Sequence, residues 1–249
     1  LSTQEDLSNV GATPTTYSPY GGVFNGSPAS LDLIISRKAG VQDEGSQLVA
    51  DVFAQISKEH TPWLDLCAGP GGKAALLSAI AKQESIEFSA NEISEVRAKL
   101  VRQVVQGAFV STLDARDITK LEKSYGAILA DVPCTGLGAL RRRPEVRWRR
   151  TVADLKTLVV LQAEIIDAAV KVLQPGGIFG YATCSPHLSE TRIAVSEALK
   201  RHPEMEVVDV SEYLHPDLRT TGVDRGSMTL WTHRHNTDAM FLSVLRKKN

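Results

Sequence analysis

The chain has 249 residues, 43% of them hydrophobic and 23% charged, with 28 Lys and Arg against 29 Asp and Glu. This is the mix of an ordinary soluble protein, with room for one full α/β domain or two small ones. A net charge of −1 excludes coating of nucleic acid by bulk charge, though not a local basic patch. No run approaches the roughly 20 apolar residues of a membrane span. No signal peptide opens the chain, and Leu1 is not an initiator Met, so a fragment is expected.

Residues 1–38 are rich in Ser, Thr, Gly, Pro and Asn and predict an irregular arm, the remnant of a linker or of a small preceding subdomain. Residues 39–249 read as one domain. Asp43-Glu44-Gly45-Ser46 precedes Leu48, Val49, Val52, Phe53 and Ile56, which recur at helical spacing. Trp63-Leu64-Asp65-Leu66-Cys67 is a short buried strand that runs into a Gly-rich turn and a helix over 73–82. Strand, helix and two strands are then expected over 86–93, 94–105, 109–113 and 127–132. A long helix over 151–173 leads through Pro175-Gly176-Gly177 into a fifth strand over 178–183. A helix over 190–200 and late strands over 205–210 and 239–245 complete the pattern. Strands alternating with helices predict a doubly wound, mostly parallel, seven-stranded Rossmann-like sheet covered on both faces. Ligands bind such sheets at the carboxyl ends of the strands.

Cys67, Cys134 and Cys184 each fall at or just past such an end. No C-x-x-C pair exists, so zinc knuckles and thioredoxin motifs are excluded, and the sparse odd count fits a reducing cytoplasm. The turn Cys67-Ala68-Gly69-Pro70-Gly71-Gly72-Lys73-Ala74 lets backbone N–H groups approach a ligand. Gly69, Gly71 and Ala74 satisfy G-x-G-x-x-G/A, and Glu92 lies 18 residues past Ala74, which suits ribose hydroxyls. A P-loop fails, because Cys67 stands where its first Gly belongs and Ala74 where its Ser or Thr belongs. Two cofactors stay open on the turn alone: a nicotinamide dinucleotide, or S-adenosylmethionine with Asp114 placed for the adenine amino group.

WLDLCAGPGGKAALL, ADVPCTGLGALRRRPEVRWRR and LQPGGIFGYATCSPHLSET stand in this order, with GVQDEGSQL upstream and HRHNTDAMF near the end. Together they closely resemble the motifs of the RNA cytosine-5 methyltransferases of the bacterial Fmu/Sun family, over about residues 40–249. One departure is Ala74, where the family usually has Thr. The resemblance implies S-adenosylmethionine as cofactor, held by residues 67–73, Glu92, Asp114 and Asp131. It implies Cys184 as the nucleophile, Cys134 as the thiol that assists product release, Asp131 on the edge of the base, and Lys73 reaching the site. It further implies RNA as partner, most simply 16S ribosomal RNA; no membrane and no metal are expected, and a monomer is favoured although the sequence does not give the oligomeric state. Relatives carry an N-terminal helical RNA-binding domain, whose connection to the core residues 1–38 would end.

The residue types suit that chemistry. Carbon 5 of cytosine is a poor nucleophile until a thiolate adds to carbon 6. Cys both attacks and leaves readily, but a thiol with pKa about 8.5 must be assisted at neutral pH. In DNA cytosine-5 methyltransferases a Cys beside a Pro like Pro133 attacks, which would make Cys134 the nucleophile instead. A catalytically inactive RNA-binding module is the other alternative, against which stand the intact Cys184, Cys134 and Asp131.

Residues 141–150 hold six Arg and one Glu around Trp148. Arg141, Arg142, Arg143, Arg147, Arg149 and Arg150 predict phosphate contacts, with Trp148 available for stacking. His233 and His235 lack clustered partners and read as surface or loop residues rather than metal ligands. Trp63 and Trp231 read as packing.

Overall fold

A computed structural model describes residues 4–105 and 107–249. The N-terminal arm, whose first three residues lie outside the described ones, has more order than its composition suggests. It carries helix α1 (Gln4–Asn9), a hairpin of β1 (Thr13–Pro14) and β2 (Gly22–Val23), and the single turn α2 (Asp32–Ile35). Tertiary hydrogen bonds anchor it. Gln4 Nε2 donates to the Pro19 and Gly21 carbonyls, and Glu44 accepts from the Tyr17 and Ser18 backbone N–H groups.

Helix α3 (Glu44–Ser57) starts at Asp43, whose carboxylate accepts from the Gly45 N–H at 2.9 Å. Such a cap satisfies one of the orphan donors of the first turn. Alternation follows: β3 (Trp63–Asp65), α4 (Gly72–Gln83), β4 (Phe88–Asn91), α5 (Glu95–Val104), β5 (Phe109–Ser111) and β6 (Tyr125–Asp131). The one-turn α6 (Val146–Arg149) leads to α7 (Val152–Val172), which opens with a Thr151–Asp154 capping box. Then come β7 (Leu173–Thr183), α8 (Arg192–Arg201), β8 (Met205–Val208), α9 (Leu218–Thr221), β9 (Val223–Asp224), β10 (Ser227–Thr229), α10 (Thr232–His235) and β11 (Phe241–Lys247).

Strands β5, β4, β3, β6 and β7 lie in that order and run parallel. β11 joins β7 antiparallel, with Phe241 opposite Thr183. Its far edge is shared, β10 pairing with its first residues and β8 with its last. The seven expected strands are therefore present, and the β9–β10 hairpin extends the sheet. β7 begins at Leu173 rather than Ile178. Leu173 pairs with Tyr125, and regular register resumes at Ala127 and Ile178, so the Pro175-Gly176-Gly177 turn is an irregularity inside the strand.

Side chains alternate across the sheet. Ala127, Leu129, Ile178 and Ala182 pack under α3, α4 and α5, whereas Ile128, Ala130, Phe179 and Tyr181 pack under α7 and α8. Each fully buried Leu, Ile or Phe contributes about 1.5–3 kcal/mol, so strand ends emerging from this core are held firmly. The order reverses between β3 and β6, which puts the switch point at their carboxyl ends.

Candidate active site

Every motif singled out above converges on that carboxyl edge. The turn after β3 delivers Lys73 into α4, where it is 9% exposed. Its ammonium donates to Ser46 Oγ and to Asp131 Oδ2, each at 2.7 Å. Burial disfavours the Lys73 cation, but Asp131 outweighs this by charge and hydrogen bonding and raises its pKa. Asp131 ends β6 and keeps its side chain 30% exposed.

Cys134 and Cys184 leave the adjacent strands β6 and β7, and their sulfurs lie 3.4 Å apart. Their surroundings are unequal. The hydrogen bond with Cys184 raises the Cys134 pKa, and burial and the carboxylates of Asp131 and Glu190 add to it. For Cys184 the Cys134 S–H lowers the pKa and outweighs burial, with Asp131 raising it and Lys73 lowering it. These opposite directions make Cys184 the more acidic thiol of the pair.

Glu190 holds this spacing and was not singled out by the sequence. It is fully buried and accepts from the Thr135 N–H (2.8 Å), Gln162 Nε2 (3.1 Å), Ser185 Oγ (2.6 Å) and Thr135 Oγ1. Thr135 follows one cysteine and Ser185 the other, so a single carboxylate ties both loops together. Gln162 from α7 also donates to the Pro133 carbonyl at 2.9 Å. Gly138 closes the arrangement: its N–H donates to the Cys184 carbonyl at 2.9 Å and its carbonyl accepts from Ala239 N–H at 2.9 Å. A Cβ on Gly138 would overlap the Ala239 carbonyl oxygen.

The upstream and C-terminal motifs form the opposite wall. Asp238 N–H donates to both Asp43 carboxylate oxygens at 3.0 and 3.1 Å, and the Asp238 carboxylate pairs with Arg142. Ser46, Glu190, Gln162 and Asp238 come from segments far apart in the chain. Only the fold could reveal them, although Glu190 stands within LSET.

The cofactor candidates gather beside the turn. Glu92 is buried just past the end of β4 and accepts from the Gly69 N–H at 3.0 Å and the Ser94 N–H at 2.8 Å, with Arg97 paired at 2.6 Å. A Cβ on Gly69 would collide with the Glu92 carboxylate, so glycine permits this approach. Asp65 lies beneath the turn with both carboxylate oxygens buried and unpartnered among the described residues. Burial pushes its pKa up to about 7. Asp114 caps the 3-10 helix Ala115–Leu121 and pairs with Arg116, which lowers its pKa. Cys67 packs against the core, and burial raises its pKa well above the ordinary value. Carboxylates at the strand ends, Glu92 and Asp114, and a glycine turn suit a cationic sulfonium nucleoside with a ribose diol.

The basic cluster divides. Arg141 donates to the Asn236 carbonyl at 2.8 Å, Arg142 pairs with Asp238, and Arg150 Nε donates to the Thr135 carbonyl at 3.2 Å. These three brace the site. Arg143, Arg147 and Arg149 are exposed, as is Trp148 at 80%. The two histidines divide as well. His233 is exposed, whereas His235 is buried and its ring accepts from the Trp231 N–H at 2.9 Å, which corrects the surface reading for His235. Trp63 is core, with Nε1 donating to the Ser57 carbonyl at 3.0 Å. Trp231 is half-buried and lines a cavity.

The chain is similar to known proteins over most of its length. A Mycobacterium tuberculosis protein named as a methyltransferase is 46% identical over 243 residues, covering 96% of this chain and 52% of that protein. Ribosomal RNA small subunit methyltransferase B of Yersinia pseudotuberculosis is 32% identical over 213 residues, covering 84% of this chain and 47% of the relative. The chain thus spans about half the length of the curated relatives it matches. Among solved structures, PH0851 aligns with a TM-score of 0.82 at 25% identity, over 99% of this chain and 57% of its own. NSun6 from Pyrococcus horikoshii, crystallised with SFG, aligns at 0.75 and 23% identity, over 90% and 57%. The family model described as 16S rRNA methyltransferase RsmB/F matches residues 53–246, and the chain belongs to that family.

Proposed function

We propose that this chain transfers a methyl group from S-adenosylmethionine to carbon 5 of a cytosine in small-subunit ribosomal RNA, through a transient bond between Cys184 and carbon 6. The observation that carries this reading is the pair of sulfurs 3.4 Å apart in unequal surroundings, beside the Lys73–Asp131 pair. The family description and the Yersinia relative support the ribosomal substrate. The SFG held in the NSun6 crystal structure and the fit of the glycine turn support the cofactor.

The glycine turn, with Glu92 for the ribose and Asp114 for the adenine, would hold S-adenosylmethionine, which would supply an electrophilic methyl group. The Cys184 thiolate adds to carbon 6 and turns carbon 5 into an enamine-like nucleophile. Asp131, partly exposed and fixed by Lys73, engages the N3 and amino edge of the base. After methyl transfer the carbon 5 proton passes to water, the C–H electron pair re-forms the C5–C6 double bond, and the C6–S bond breaks to release Cys184 as a thiolate, which Cys134 stabilises by hydrogen bonding across 3.4 Å. Addition to a ring face requires a cytosine out of its stack, which the single-stranded regions of RNA provide. Arg143, Arg147 and Arg149 then grip the flanking phosphates.

The test is methylation of 16S ribosomal RNA by single cysteine variants. Cys184→Ala abolishes both transfer and the covalent adduct, whereas Cys134→Ala accumulates the adduct, seen as an RNA-shifted band. An adduct in Cys184→Ala would reverse the two roles. Tight binding of NAD without S-adenosylhomocysteine would replace the methyltransferase with an oxidoreductase.

A further inference from the structure

A cavity of about 360 Å³ opens beside the nucleophile and takes no part in the chemistry above. One wall is Ser185-Pro186, which directly follows Cys184. β11 runs antiparallel, so its first residues lie at the carboxyl edge of the parallel strands, opposite Thr183, and β10 ends beside them. Along that edge the order is glycine turn, Asp131 and Cys134, Cys184, then the cavity. Cofactor cradle and cavity therefore flank the nucleophile from opposite sides.

The lining has the character of a nucleotide site. Met240 and Phe241 give an apolar floor, Trp231 an aromatic ring, and Arg234 an exposed guanidinium. Arg192 also lines it but is paired with Asp224 at 2.7 Å, so that pair adds little net charge. Thr229 also lines it. The volume falls in the range of small-molecule sites.

We propose that this cavity receives the base of a nucleotide adjacent to the target cytosine in the same RNA strand, stacked against Trp231, with the exposed Arg234 meeting its phosphate. The proposal rests on the RNA methyltransferase reading. Extruding one base leaves its neighbours short of a stacking partner, and an aromatic side chain replaces it without reading sequence strongly.

The experiment uses the full chain, S-adenosylmethionine and a 16S ribosomal RNA transcript, with the methylated cytosine mapped by bisulfite sequencing. Trp231 is replaced by photoreactive p-benzoylphenylalanine and the irradiated RNA is mapped by primer extension. The expected stop lies one nucleotide from the methylated cytosine. Trp231→Ala raises KM for RNA about ten-fold while affinity for S-adenosylhomocysteine is unchanged. Arg234→Gln changes an exposed position, so it leaves thermal stability unchanged yet raises KM for RNA. Methylation with cross-links elsewhere, or an unchanged KM in both variants, overturns the cavity assignment and leaves the proposed function intact. An absence of methylation by the unmodified chain overturns the proposed function, and the cavity assignment falls with it.

Discussion

Replacing Glu190 separates geometry from chemistry at this site. In Glu190→Ala four donors lose their acceptor: the Thr135 N–H, Gln162 Nε2, and the Ser185 and Thr135 hydroxyls. The hydroxyls can turn to one another, since their oxygens already lie 3.3 Å apart. The Thr135 N–H and part of the Gln162 amide stay orphaned in a buried space. Two unsatisfied donors at about 1–3 kcal/mol each, with the lost packing of the side chain, give a destabilisation of about 3–5 kcal/mol. Glu190→Gln behaves differently. Its carbonyl oxygen replaces Oε1, and its amide nitrogen donates to the two hydroxyls, which then act as acceptors. The expected cost is about 1 kcal/mol or less. Urea unfolding of both variants measures the difference. A Gln variant as unstable as the Ala variant, or an Ala variant within about 1 kcal/mol of the parent chain, refutes the role given to this carboxylate.

Three further outcomes are expected. Lys73→Met removes the cation that lowers the Cys184 pKa, so alkylation of Cys184 by iodoacetamide shifts to higher pH and slows about five- to tenfold at pH 7; an unchanged pH–rate profile contradicts the electrostatic account. Asp65, held protonated up to about 7, keeps a proton that the unfolded chain loses near 3.8, so this stabilising contribution is present at pH 4 and is lost as pH rises through 7. Relative to Asp65→Asn, the parent chain therefore loses stability on the order of 4 kcal/mol between pH 4 and pH 8, and a pH-independent difference between the two denaturation curves excludes the shift. With only Arg143, Arg147 and Arg149 left to meet phosphates, the log–log salt slope for single-stranded RNA is about −2; a slope near −4 recruits Arg141 and Arg142, and a slope near zero removes the patch.

The alternating pattern from Trp63 to Thr183 was readable because each strand is a short apolar run closed by glycine, proline or a capping residue, and each helix repeats its apolar face. Elements held by tertiary contacts were not. The β1–β2 hairpin has no apolar period, and its order depends on Gln4 and Glu44 reaching backbone groups elsewhere. β9 and β10 have two and three residues, too short to show alternation; β10 exists because β11 offers it an edge, and β9 because β10 does. The same division holds at the site. The cysteines, Lys73, Asp131 and the glycine turn lie in compact motifs. Ser46 meets Lys73 across 27 residues and Glu190 meets Thr135 across 55, so no local pattern joins them. The arginine run looked uniform in the sequence, yet its members do different work, because Asp238 and Asn236 approach only the first two.

Two thiols of identical chemistry need a reason to divide their labour, and the reason lies in what each strand end brings. For Cys134 every neighbouring influence pushes the pKa upward, with Asp131 and Glu190 both on its side. For Cys184 the same Asp131 acts, but Lys73 opposes it and the Cys134 S–H stabilises the anion directly. The carboxylate that staples the two loops also adds to the upward push on the Cys134 pKa, after the Cys184 hydrogen bond, burial and Asp131. A Cys184→Ser variant tests whether proton placement rather than position is decisive. A hydroxyl in place of the thiol preserves position but is far less acidic, so covalent addition at carbon 6 is lost while RNA affinity is retained. Retention of the adduct by that variant would show that the neighbours, and not the sulfur, supply the nucleophilicity.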